Sequence, residues 1–100
     1  MRPQVERLVS LGQLPAEASA TVEQIDRIEV EFRAIVPPLS DHEARALVRL
    51  FGPDGCFGVA SSLVHLIETA PGWPLLDCLE DSENEFVVSL RERARRGGFL

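Results

Sequence analysis

The stretch Ser40-Asp41-His42-Glu43-Ala44-Arg45-Ala46-Leu47-Val48-Arg49-Leu50-Phe51-Gly52-Pro53-Asp54-Gly55-Cys56-Phe57-Gly58-Val59-Ala60-Ser61-Ser62-Leu63-Val64-His65-Leu66-Ile67 holds two apolar stripes joined by one turn signal. Ala44, Leu47, Val48 and Phe51 step by three and four, the spacing of one helical face. Ser40 with Glu43 three residues later is a capping box, so the first helix starts at Ser40. Gly52-Pro53-Asp54-Gly55 forces a tight turn. A second helix then opens at Asp54 or Gly55 and runs to about Thr69, with Phe57, Ala60, Leu63, Val64 and Ile67 on its buried face. Two such helices with a short connection predict an antiparallel αα-hairpin.

The rest of the chain repeats the helical period, and strand alternation is almost absent. Residues 3–11 predict a helix with Pro3 in its first turn, Val5, Leu8 and Val9 on one face, and Gly12 closing it. Residues 13–20 read as a linker containing Pro15. A second helix is opened by a Thr21/Gln24 capping box, carries Val22, Ile25, Ile28 or Glu29, Phe32, Ile35 and Val36 on its buried stripe, and is stopped by Pro37-Pro38. Pro71-Gly72-Trp73-Pro74 ends the hairpin. A last helix is expected from a third box, Ser82 with Glu85. It has Phe86, Val87, Leu90 and Ala94 inside, Gly97-Gly98 at its end, and Phe99-Leu100 folding back. Residues 1–100 therefore predict one all-α domain of about five helices around a central hairpin, as a compact or HEAT-like bundle.

Composition narrows the function classes. Hydrophobic residues are 45% and charged residues 26% of the 100, the balance of a globular domain. Sixteen acids against ten bases give a formal charge of -6, which argues against nucleic acid as a partner. The longest apolar run, residues 57–67, is about half a bilayer span, and no secretory leader is legible. The expectation is a cytoplasmic protein with no membrane association. Two cysteines are too few for a disulfide framework.

The motifs of nucleotide, hydrolase and zinc-protease chemistry are missing, so the chain is expected not to be an enzyme and to need no cofactor. Cys56, His65 and Cys78 are spaced 9 and 13 apart, which matches no paired zinc spacing, and no metal site is expected. Cys56 falls at an expected helix N-terminus, where thiol acidity rises. His65 nine residues on lies about 13 Å along the same helix, too far to act as its base, and Cys56 reads as buried and inert. Cys78, among leucines, reads as core. His65 and Glu68 share a helical face, with His65 expected to be partly buried.

The charge map is the strongest functional signal. No Arg occurs between Leu50 and Leu90, while Asp54, Glu68, Asp77, Glu80, Asp81, Glu83 and Glu85 all do. Five of these seven acids fall in residues 77–85. The plain reading is a solvated face with acids favoured at a helix start. The functional reading is a docking surface for a basic protein, which gains association rate by steering. Trp73, stiffened between two prolines, is either core packing under the hairpin or an interface anchor. The candidate partner-binding set is Glu68, Trp73, Asp77, Glu80, Asp81, Glu83 and Glu85.

The segment Phe51-Gly52-Pro53-Asp54, Phe57-Gly58, Leu63 and His65-Leu66-Ile67-Glu68-Thr69-Ala70-Pro71-Gly72-Trp73-Pro74, about a quarter of the chain, resembles a block in small uncharacterised actinobacterial helical proteins. The general style, a short acidic helical chain with few cysteines, is similar to immunity proteins. That resemblance implies a module that neutralises a basic toxin or nuclease domain by covering its active site, and carries over no catalytic residue. Two alternatives stand beside it: a structural or regulatory subunit acting as a homodimer or larger assembly, and a small enzyme built on Cys56.

Overall fold

In the computed structural model, which describes residues 1–79 and 82–97, the helices are α1 (Pro3–Ser10), α2 (Val22–Arg33), α3 (Asp41–Val48), α4 (Val59–Ile67) and α5 (Glu85–Arg96). Short 3₁₀ turns at Cys56–Gly58 and Leu76–Cys78 interrupt the connections, and among the described residues there is no strand. The all-α expectation is met.

Local chemistry explains where most helices start. Pro3 takes the first position of α1, where a missing N–H leaves nothing unsatisfied. Both residues of the Thr21/Gln24 box bond as expected at α2. The Ser40/Glu43 box does so at α3. Two starts differ from the expectation. Asn84, not Ser82, caps α5 by accepting from the Phe86 N–H at 2.9 Å. Ser82 instead accepts from the Asn84 N–H at 3.1 Å. α4 begins at Val59 rather than near Gly55, because Cys56, Phe57 and Gly58 all adopt positive φ, at 46°, 55° and 89°.

The core lies where α1, α3, α4 and α5 meet. Val5, Leu39, Leu47, Leu63, Ile67, Leu79 and Leu90 are essentially sealed from solvent. Phe51 stacks on Phe86 with ring centroids 5.5 Å apart, tying the hairpin loop to α5. Asn84 strengthens the same joint by donating to the Gly52 carbonyl at 3.0 Å. Residues 13–20, expected to be a linker, are a strap on that loop. Leu14 is buried, its N–H donates to the Leu50 carbonyl at 2.8 Å, and its carbonyl lies where a Cβ on Gly52 would sit.

Glu43 is the one buried charged residue among those described. Its carboxylate accepts from the Ser40 N–H, the Arg2 N–H and the Arg2 guanidinium at 2.8–3.2 Å. Arg2 also donates to the carbonyls of Val36 and Pro38. One ion pair therefore clamps the N-terminus, the α2–α3 connection and the start of α3.

α2 is the exception to this packing. It rests on α1, helped by an Arg7–Glu31 pair at 3.3 Å, and the residue it buries is Ile28. Val22, Val30 and Val36 are 77%, 62% and 68% exposed. Val22 and Val36 were expected inside. The helix ends at Arg33, so the turn that would have carried Val36 inward never forms. The molecule measures 39 × 28 × 18 Å, about two helix diameters thick in its thin direction.

Candidate functional site

The acidic candidates divide into neutralised and free groups. Both oxygens of Glu68 face the Arg93 guanidinium at 2.6 and 2.9 Å, with His65 at 3.8 Å. Asp77 pairs with Arg45 in the same two-pronged way, at 2.9 and 3.4 Å. Charge-assisted forks of this kind are stronger than neutral hydrogen bonds and occupy both oxygens of the carboxylate. Each hydrogen bond also raises the pKa of its arginine. Trp73 is half-buried and packs on the core. Glu83 and Glu85 are exposed, with no ion pair to any described residue. Glu80, Asp81, Phe99 and Leu100 lie outside the described residues. The structure thus ties Glu68 to α5 and Asp77 to α3.

Neither cysteine is set up for nucleophilic chemistry. Cys56 is completely buried, and burial, then the nearby carboxylates of Asp54 and Glu17, push its thiol pKa up. Burial, then Asp77, does the same at half-buried Cys78, whose thiol donates to the Leu75 carbonyl. The start of α4 lies three residues past Cys56, so no helix terminus acidifies it. His65 is exposed rather than partly buried, with 71% of its side chain in solvent. Among the described residues no group of three His, Cys, Asp or Glu side chains could hold a metal ion, and no helix is long and apolar enough to cross a membrane.

The structure points instead to Phe57. Left-handed backbone is unremarkable for Gly58 but strained for Cys56 and Phe57, at about 1–3 kcal/mol for each such residue. A small network holds the strain. The Asp54 carboxylate accepts from the Cys56 N–H with one oxygen and from the Glu17 N–H with the other, both at 3.0 Å. The Glu17 carboxylate in turn accepts from the Phe57 N–H at 3.0 Å. The strap and the hairpin loop therefore lock each other, and the Phe57 ring is left 62% exposed.

Phe57 stands in a groove between α2 and α4. Three hollows follow one another along it. The first, about 230 Å³, is walled by Ala20, Val22, Ile25, Asp26 and Phe57. The second, about 460 Å³, lies between Glu29, Phe32, Phe57, Val59 and Ser62. The third, about 270 Å³, lies between Phe32, Ile35, Pro37, His65 and Thr69. At the Phe57 end, Glu17, Asp26 and Asp54 make no ion pair with any described residue. Towards the other end Glu29 is paired with Arg33 at 3.5 Å.

Sequence reasoning missed this site because Phe57 falls in step with Ala60, Leu63, Val64 and Ile67, so periodicity places it on the buried face. The usable signal was Gly58, a residue suited to positive φ next to a glycine-rich turn. Comparison with family models, with curated proteins and with solved structures returns no match.

Proposed function

We propose that this chain is a non-enzymatic interaction module whose docking face is the α2–α4 groove with Phe57 as its anchor. The carrying observation is Phe57: a bulky apolar ring held in solvent by strained backbone and two braced carboxylates. An exposed aromatic gains nothing for the fold by standing there, and strain kept in a native structure is a recognised mark of functional sites. Aromatic anchors beside apolar hollows are what binding hot spots use. The overall charge of -6 and the free acids beside Phe57 make the partner basic.

In the form that the immunity-protein resemblance suggests, the partner is a toxin or nuclease domain, and the chain covers its active site. Among the described acids of the first candidate set, Glu83 and Glu85 then contribute more to electrostatic attraction than the paired Glu68 and Asp77.

The test is co-purification from the native host with tagged wild-type, Phe57→Ser and Glu83→Arg/Glu85→Arg chains. The expected result is one stoichiometric basic protein retained by wild type, released at high salt, lost with Phe57→Ser and weakened by the double reversal. Absence of such a protein, or its equal retention by Phe57→Ser, overturns the proposal.

A further inference from the structure

We infer that the element seated in the α2–α4 groove is an amphipathic α-helix of the partner, three to four turns long, with its cationic residues over Phe57. The inference rests on the docking reading above and names what docks.

Length and shape carry the first half. The hollows follow α2 from Val22 to its end at Arg33, about 18 Å at 1.5 Å per residue, and continue to Ile35 just beyond it. A partner helix of about twelve to fourteen residues has that length, and its apolar residues at i, i+3 or i+4, i+7 and onward form one continuous face to set against the successive hollows. An extended strand would need an open sheet edge for its main-chain hydrogen bonds. Here the walls are chiefly α2 and α4, and among the described residues there is no strand whose edge a partner strand could extend.

Charge complementarity carries the second half and sets the orientation. The hollow at Val22 and Ile25 has Asp26 in its wall and no basic residue. Glu17 and Asp54, bonded to the backbone beneath Phe57, keep their negative charge unpaired there. A cationic side chain entering at this end lays its methylenes on Val22 and Ile25 and its charge on the Phe57 ring face and the Asp26 carboxylate. Glu29 and Arg33 already neutralise each other further along, and the third hollow has only His65 as a titratable wall residue. Cations therefore belong at one end of the helix and not along its length. A second copy of this chain would bring another acidic surface, so self-association is disfavoured.

The test is a nitrogen-15 NMR titration of the full chain with three synthetic sixteen-residue peptides. One is an amphipathic helix with leucines one turn apart and arginines at one end. The second has the same residues shuffled so that no apolar face forms, and the third replaces its arginines with glutamates. The expected result is amide shifts confined to residues 22–35 and 57–69 with the first peptide alone, weakened at least tenfold by 0.5 M sodium chloride and by Asp26→Arg. The amide spectrum of Asp26→Arg, which changes an exposed residue, checks that the variant is folded. Equal binding of the shuffled peptide overturns the helical form, and equal binding of the glutamate peptide overturns the cationic end. Groove shifts that grow with protein concentration in the absence of peptide overturn the inference in favour of a second copy. If no peptide shifts the groove at millimolar concentration while co-purification still depends on Phe57, the helix inference fails and the docking reading stands. If both experiments fail, both fall.

Discussion

Replacing Glu43 with Gln separates charge from shape at the clamp that holds the N-terminus. The glutamine fits the same space, and its carbonyl can still accept from the Ser40 N–H. Its amide would turn two donors toward the Arg2 guanidinium and the Arg2 N–H, both of which need acceptors. The wild-type carboxyl pKa is lowered to about 2, chiefly by the Arg2 side-chain hydrogen bonds. Against an ordinary value of 4.5, that difference is worth at most about 3 kcal/mol. Arg2 is 40% exposed, so solvent screening brings the expected loss in the variant to about 2 kcal/mol. Because the folded pKa is depressed, this stability is fully present above about pH 5 and is lost as pH falls toward 2. Urea melts followed by circular dichroism at pH 7, 5 and 3 should show a gap between wild type and Glu43→Gln that is full at pH 7 and less than half as large at pH 3. Taking the difference between two chains cancels the other carboxylates. A gap that stays constant down to pH 3, or one below about 0.5 kcal/mol at pH 7, refutes the assignment of a buried, arginine-held carboxylate.

Leu63→Ala empties a sealed position in the core and should cost about 2–5 kcal/mol; a loss under 1 kcal/mol in denaturant melts would show that the α4 core face is misassigned. Phe57→Asn should raise stability by about 0.5–1 kcal/mol, because asparagine tolerates positive φ and the exposed ring contributes little to the core, while partner capture is lost. A destabilised Phe57→Asn would show that the ring packs inward. Cys56 in the native protein should react with a thiol reagent at pH 7 far more slowly than in denaturant, since only the thiolate attacks and burial suppresses it. Equal rates in the two states would return Cys56 to the list of nucleophiles.

How much of this was legible in the sequence depends on the range of the interaction. Thr21/Gln24 and Ser40/Glu43 act within four residues, and both boxes form as read. The start of α4 was misread because Glu17, forty positions from the Phe57 amide whose N–H it accepts, helps to stabilise a left-handed turn there, while Asp54 ties that turn to the strap across thirty-seven positions. No periodicity rule sees such a partner. Val36 was misplaced because α2 ends at Arg33, four residues before Pro37, so the helical stripe stops short of the proline that reads as its end. Glu43 looked like a plain capping residue, and only the fold shows that its second oxygen receives Arg2 from forty-one positions away. The candidate acids fared as charge maps do. Sequence shows where carboxylates are, and the tertiary structure decides that Glu68 and Asp77 meet guanidiniums while Asp26 does not.

The reciprocal grip between the strap and the hairpin loop has a consequence for timing. Of the two bonds that fix the left-handed turn, Asp54 to the Cys56 N–H is local, while Glu17 to the Phe57 N–H crosses the strap–loop junction, so an unfolded or partly made chain has only the local half of the grip on the aromatic knob. Display of the knob then reports that residues 13–20 have docked. On the docking proposal, a chain whose strap is detached loses the Glu17 bond that sets Phe57, which couples recognition to completion of the fold.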